Sequence, residues 1–124
     1  MLFISFTAFS QHTLRATKYY PNYKGMGTIT ASGSKVNINS LRKGYVRWVA
    51  LSQDMFKYYK FNDIIYVQCS NKHLNGFWIV KDKMNKRIKR GIDFMLHREE
   101  HIGFNTPIRV KIIKVTNTFK WIDM

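Results

Sequence analysis

Apolar residues along this chain gather in short runs with Asn, Gly and Pro between most of them, the pattern of many short strands. The segments Thr13 to Tyr20, Gly27 to Thr30, Val46 to Leu51, Ile64 to Val67, Phe77 to Lys81, Ile92 to Leu96 and Ile108 to Val115 are β-prone. Alternation is clearest in the last. In IRVKIIKV, Arg109, Lys111 and, after a step at Ile112 and Ile113, Lys114 fall between apolar residues, as expected of a half-exposed strand. PNYKG, Pro21 to Gly25, and the small residues Ala31 to Gly33 read as turns. Only Ser52 to Tyr59 reads as a short helix, and there is no internal repeat or low-complexity linker. The expected architecture is all-β, a small closed barrel.

A chain of 124 residues is long enough for one hydrophobic core and too short for two ordinary ones. Its 45% hydrophobic and 15% aromatic content excludes a disordered chain. The net charge of +14 points to an anionic partner or surrounding: nucleic acid, an acidic wall polymer or a membrane surface. The richness in Lys, Asn and Ile reads equally well as compositional bias. No zinc-finger spacing, helix-turn-helix signature or aromatic RNA-binding consensus is present, so no specific nucleic-acid partner is expected. Cys69 is the one cysteine, which excludes an internal disulfide, and His73, His97 and His101 have no ligand-like spacing with Cys or acidic residues. Neither a metal nor another cofactor is expected. His97 is expected at the surface, and Trp48 and Trp78 in the core.

The start, MLFISFTAFSQ, has the short apolar run and small polar residues of a secretory signal without its basic leader, and the run is too short to span a bilayer. Residues 1–12 therefore read as a signal-like or extra N-terminal segment, or as a first strand, and residues 13–124 as a single domain.

Chemistry is concentrated in FWIVKDKMNKRIKRGIDFML, Phe77 to Leu96, where Asp82 and Asp93 sit inside a basic run in a chain with 21 Lys and Arg but only 7 Asp and Glu. Cations would hold these carboxyls ionised, whereas burial against Trp78 or Phe94 would raise their pKa and let one serve as an acid. Strand periodicity puts Asp82 on the face of Trp78 and Val80, and Asp93 on the face of Met95 and His97, opposite Ile92, Phe94 and Leu96. Convergent carboxylates at strand ends suit general acid and base chemistry on a glycosidic oxygen; the plainer reading is that each caps a turn or pairs with a nearby cation.

The segments TASG (Thr30 to Gly33), VALSQDM (Val49 to Met55), NDIIYV (Asn62 to Val67) and VKDKMNKRIKRGIDFML (Val80 to Leu96) resemble, in this order, the three-aspartate or 3D domain. That resemblance implies a six-stranded double-psi β-barrel with short helical or loop insertions, similar to the catalytic barrel of membrane-bound lytic transglycosylase A. It further implies cleavage of the bond between N-acetylmuramic acid and N-acetylglucosamine in peptidoglycan strands. Asp93 would be the acid and base and Asp82 its partner, with Ser52, Asn85, Arg87, Tyr20 and Tyr23 on the substrate. The place would be the periplasm or secreted cell envelope. The chain departs from the family pattern at Ser52, where the first aspartate is expected and Asp54 follows two positions later, and at Lys83, where Thr is usual. These departures leave room for a non-catalytic barrel that binds peptidoglycan or an anionic wall polymer, carried in the envelope or on a phage particle.

Overall fold

The computed structural model describes residues 2–3, 6–21, 29–97, 108–115 and 120–121. Strands β1 (Leu2–Phe3) and β8 (Lys120–Trp121) pair with each other, apart from the main sheet. The other six are β2 (Phe6–Tyr19), β3 (Trp48–Leu51), β4 (Ile64–Gln68), β5 (Gly76–Lys83), β6 (Gly91–Met95) and β7 (Ile108–Val115). They close into a barrel in the order β2-β6-β3-β5-β4-β7. The pairs β2–β6 and β3–β5 are parallel and the rest antiparallel, so the barrel is mixed. Residues 11 and 12, grouped in sequence with a signal-like start, continue β2 and pair with β7.

Alternation decides what fills the barrel. Leu14 and Ala16, Val49 and Leu51, Ile65 and Val67, Trp78 and Val80, Ile92 and Phe94, and Val110 and Ile112 contribute two inward residues from each strand to one core. Trp78 crosses Phe94 edge to face at 4.8 Å and donates its indole N–H to the Leu74 carbonyl at 2.7 Å. The Arg47 guanidinium caps its ring at 4.0 Å, so this large side chain is satisfied on every side.

A second, smaller core lies outside the barrel. The connection from β2 to β3 carries a short helix, α1 (Ile38–Arg42), that the strand-dominated reading did not foresee. Asn37 caps it by accepting from the Ser40 amide, and Leu41, Val36 and Met95 are buried together with Tyr19 and Trp48 packed against them. Trp48, expected in the core, is thus half-buried on the outer face, because it precedes the inward Val49 by one residue. The strand expected at 27–30 is, in its described part, a single bridge from Ile29 to Lys35. The short helix expected in Ser52 to Tyr59 is present as a 3-10 helix over Gln53–Lys57.

Replacing Trp78 with Ala should cost about 3–5 kcal/mol, since it empties the centre of the barrel and removes the ring on which the Arg47 guanidinium lies. Urea denaturation followed by circular dichroism would measure it.

Candidate functional site

The outward residues of four adjacent strands line up across the sheet. Thr17 on β2 faces Asp93 on β6, Asp93 faces Ala50 on β3, and Ala50 faces Asp82 on β5. Simple alternation predicted otherwise for Asp82. Between β3 and β5 the register shifts: Val49 pairs with Val80 and Ala50 with Asp82, so Lys81 is an extra residue. This bulge turns Asp82 away from the inward face of Trp78 and Val80 and onto the face of Asp93. Ala50 leaves room above the row for both carboxyls.

Each aspartate is held differently. Asp82 is a tightly bound carboxylate: its Oδ1 accepts from the Ala31 and Lys83 amides at 2.9 Å each, and its Oδ2 accepts from the Tyr19 hydroxyl at 3.2 Å. The Tyr19 hydroxyl is pushed above its ordinary range, chiefly by burial and then by the negative charge of Asp82. Among the described residues Asp93 has one side-chain donor, the Thr17 hydroxyl on Oδ1 at 2.8 Å, which leaves Oδ2 to carry a proton. Burial pushes the Asp93 carboxyl up to about 6; the Thr17 bond pulls the other way, and the charge of Asp82 adds to the rise.

Asp93 opens onto a cleft of about 640 Å³ whose walls include Arg15, Thr17, Asn85, Arg87, Lys89 and Gly91. Among the described residues, Arg15, Arg87 and Lys89 have no ion-pair partner, and none of them is among the groups that set the Asp93 pKa. The basic run therefore leaves the acid unsuppressed while giving the cleft a cationic wall. Asn85 shapes that wall: its side-chain oxygen accepts from the Arg87 amide at 2.9 Å and its carbonyl from the Ile88 amide. Gly91 is required where the loop rejoins β6, since a Cβ there would lie 2.8 Å from Ile88 Cγ2 and 3.3 Å from Met84 Sδ.

Ser52 does not face the cleft. It is fully buried, and its Oγ accepts from the Gly91 amide at 2.9 Å and donates to Asp54. Asp54 in turn accepts from the Arg90 amide at 3.1 Å. Burial alone would raise the Asp54 pKa, but the bonds from Ser52 and Arg90 outweigh it and hold the carboxyl below its usual range. Together the two residues anchor the loop rather than extend the Asp93 row. Tyr20 is exposed but lies outside the cleft walls, and Tyr23 lies outside the described residues. His97, expected at the surface, is buried. Sequence reasoning missed Arg15 and Thr17 as site residues. Their spacing held the signal, because alternation in Leu14 to Tyr19 puts both, with Tyr19, on the face opposite Leu14 and Ala16.

In the unfolded chain the Asp93 carboxyl titrates near 3.8 and in the folded chain near 6, so its ionisation opposes folding, and the penalty grows between these values and is complete above them. Asp93→Asn should accordingly be more stable than wild type by about 1–3 kcal/mol at pH 7 to 8, with the difference gone below about pH 4, as read by thermal melts across pH. Gly91→Ala should cost about 1–3 kcal/mol through overpacking, and Ile88→Ala in the same chain should restore most of it.

No protein-family model matches this chain, and no curated protein matches it in sequence. Among solved structures it is similar to an expansin of Clavibacter michiganensis, with a TM-score of 0.60 and 15% identity over 86% of this chain and 51% of that one. The chain thus spans about half the length of the expansin. At this identity the likeness is one of fold alone.

Proposed function

We propose that this barrel is a cell-envelope peptidoglycan-active domain that cleaves the bond between N-acetylmuramic acid and N-acetylglucosamine, with Asp93 as the acid and base. One observation carries the reading: a carboxyl titrating near 6 on the wall of an open cleft, beside a second carboxyl held by two amides and a tyrosine. At pH 7 about one Asp93 in ten is protonated, enough for an acid whose proton is lost and regained in each cycle.

The protonated Asp93 gives its proton to the glycosidic oxygen as the bond to C1 of the muramyl sugar breaks. The resulting carboxylate then takes the proton of the muramyl O6 hydroxyl as that oxygen attacks C1. The products are a free hydroxyl end and a 1,6-anhydromuramyl end; Asp93 is protonated again and no water is consumed. Asp82, locked by two amides and Tyr19, is the fixed partner carboxyl beside the developing positive charge at C1. The resemblance to the three-aspartate domain supports the same assignment, and the barrel architecture is compatible with it.

The second reading is a non-catalytic barrel that binds peptidoglycan or an anionic wall polymer, in the envelope or on a phage particle. Arg15, Arg87 and Lys89, which have no ion pair among the described residues, favour it, because such a wall suits carboxylate or phosphate groups along a polymer.

Digestion of purified peptidoglycan by wild type and by Asp93→Asn, with mass spectrometry of the soluble fragments, separates the two. Anhydromuramyl ends from wild type alone, at a rate that falls as pH rises above about 6, are the expected result. Co-sedimentation of both proteins with the wall and no fragments from either would leave the binding reading and remove the catalytic one.

A further inference from the structure

A second, smaller hollow of about 190 Å³ adjoins the Asp93 cleft, lined by His12, Asp54, Met55, Lys57, Tyr58 and Arg90. The segment Lys89 to Gly91 separates the two: Lys89 and Gly91 line the larger cleft and Arg90 the smaller. Across this ridge the Arg15 amide donates to the Arg90 carbonyl at 2.9 Å, and Asp54 accepts from the Arg90 amide. One continuous loop thus forms a wall of both.

The hollow is built unlike the Asp93 cleft. Tyr58 is 52% exposed, yet its position is fixed: its amide donates to the Met55 carbonyl, and its own carbonyl accepts from Lys114. The His12 ring lies 4.6 Å from the Tyr58 ring, and its Nδ1 is 2.9 Å from the Tyr59 hydroxyl. A rigid aromatic is therefore presented to solvent at low ordering cost. Beside it, the Asp54 carboxylate is oriented by Ser52 and Arg90 and retains room to accept another hydrogen bond. That carboxylate repels an anion, while Lys57 and Arg90 disfavour a cation. A neutral ligand with an apolar face and many hydroxyl donors fits both constraints, and the volume accommodates one sugar ring.

We infer that the His12–Tyr58–Asp54 hollow is a second saccharide subsite, holding one uncharged sugar ring of a strand that crosses the Arg90 ridge from the Asp93 cleft. The ring's C–H face stacks on Tyr58 and a hydroxyl donates to Asp54. The inference rests on the glycan reading of the domain but does not need Asp93 to be catalytic.

Calorimetric binding of the chitin disaccharide and hexasaccharide to full-length Asp93→Asn, which removes turnover, tests it. The hexasaccharide should bind about tenfold more tightly than the disaccharide. Tyr58→Ala added to that chain should abolish this gain while leaving disaccharide affinity unchanged, and Tyr58→Trp should keep it. Equal affinity for the two lengths would overturn the subsite, as would Tyr58→Ala weakening both oligomers alike or neither. If no oligomer binds, the glycan reading falls with it. A Tyr58-dependent length effect in a protein that never cleaves peptidoglycan would keep the subsite and remove only the catalytic reading.

Discussion

In the ladder between β3 and β5, Val80 faces Val49 and Asp82 faces Ala50, so Lys81 has no β3 partner. The rest of the site depends on that one extra residue. Without it, Lys81 would stand opposite Ala50, and Asp82 would turn into a barrel interior filled by Val49, Trp78 and Phe94, where an unpaired charge is prohibitively costly. With it, Asp82 meets the Ala31 and Lys83 amides and the Tyr19 hydroxyl, and it comes within electrostatic reach of Asp93. Bulges beside functional clefts re-aim side chains in this way. The Lys81 side chain is not lost to the fold, since its ammonium reaches the Asn62 side chain at 2.6 Å and lies over Trp48.

The opposition between burial and cations, which the sequence poses around Asp93, is resolved by direction. Six Lys and Arg lie between Lys81 and Arg90, and summed as nearby charge they would hold any carboxylate ionised. On the barrel, Lys81 turns to Asn62, Lys83 lies over Phe56 and Phe61, and Arg90 faces the smaller hollow. Only Arg87 and Lys89 of this run share the cleft with Asp93, and neither governs its pKa. Asp93 is instead set by its place on β6, between β2 and β3 with the outer core at Met95 two residues on. Desolvation therefore wins, and the cations are available to a ligand.

Much of the barrel was legible because inward and outward residues alternate over β3 to β7, so segment limits and core residues such as Trp78, Val80, Ile92 and Phe94 could be read from period alone. The Asp82–Asp93 pair was legible as a pair, but not its geometry. A bulge has no dependable mark in a single sequence, and one extra residue reverses the face of everything after it. Helix α1 was hidden by its brevity, since one buried Leu41 and an Asn37 cap give too little pattern to detect a period. Ser52 was misleading for another reason: its position in the chain matches a site residue, while its burial and hydrogen bonds make it a connector.

That connector bears on why an aspartate is absent at Ser52. A hydroxyl accepts and donates at once, and Ser52 does both, taking the Gly91 amide and giving its proton to Asp54. A carboxylate in the same buried place has no proton to give, so it would face Asp54 as a like charge with little solvent to screen it. Asp54 would then lose a donor that keeps it ionised, and the Arg90 amide would lose a firmly held acceptor. Serine at 52 and aspartate at 54 thus form one arrangement. The neutral residue lies inside and ties the loop to β6, while the charge moves outward to the edge of the smaller hollow, where a ligand can reach it.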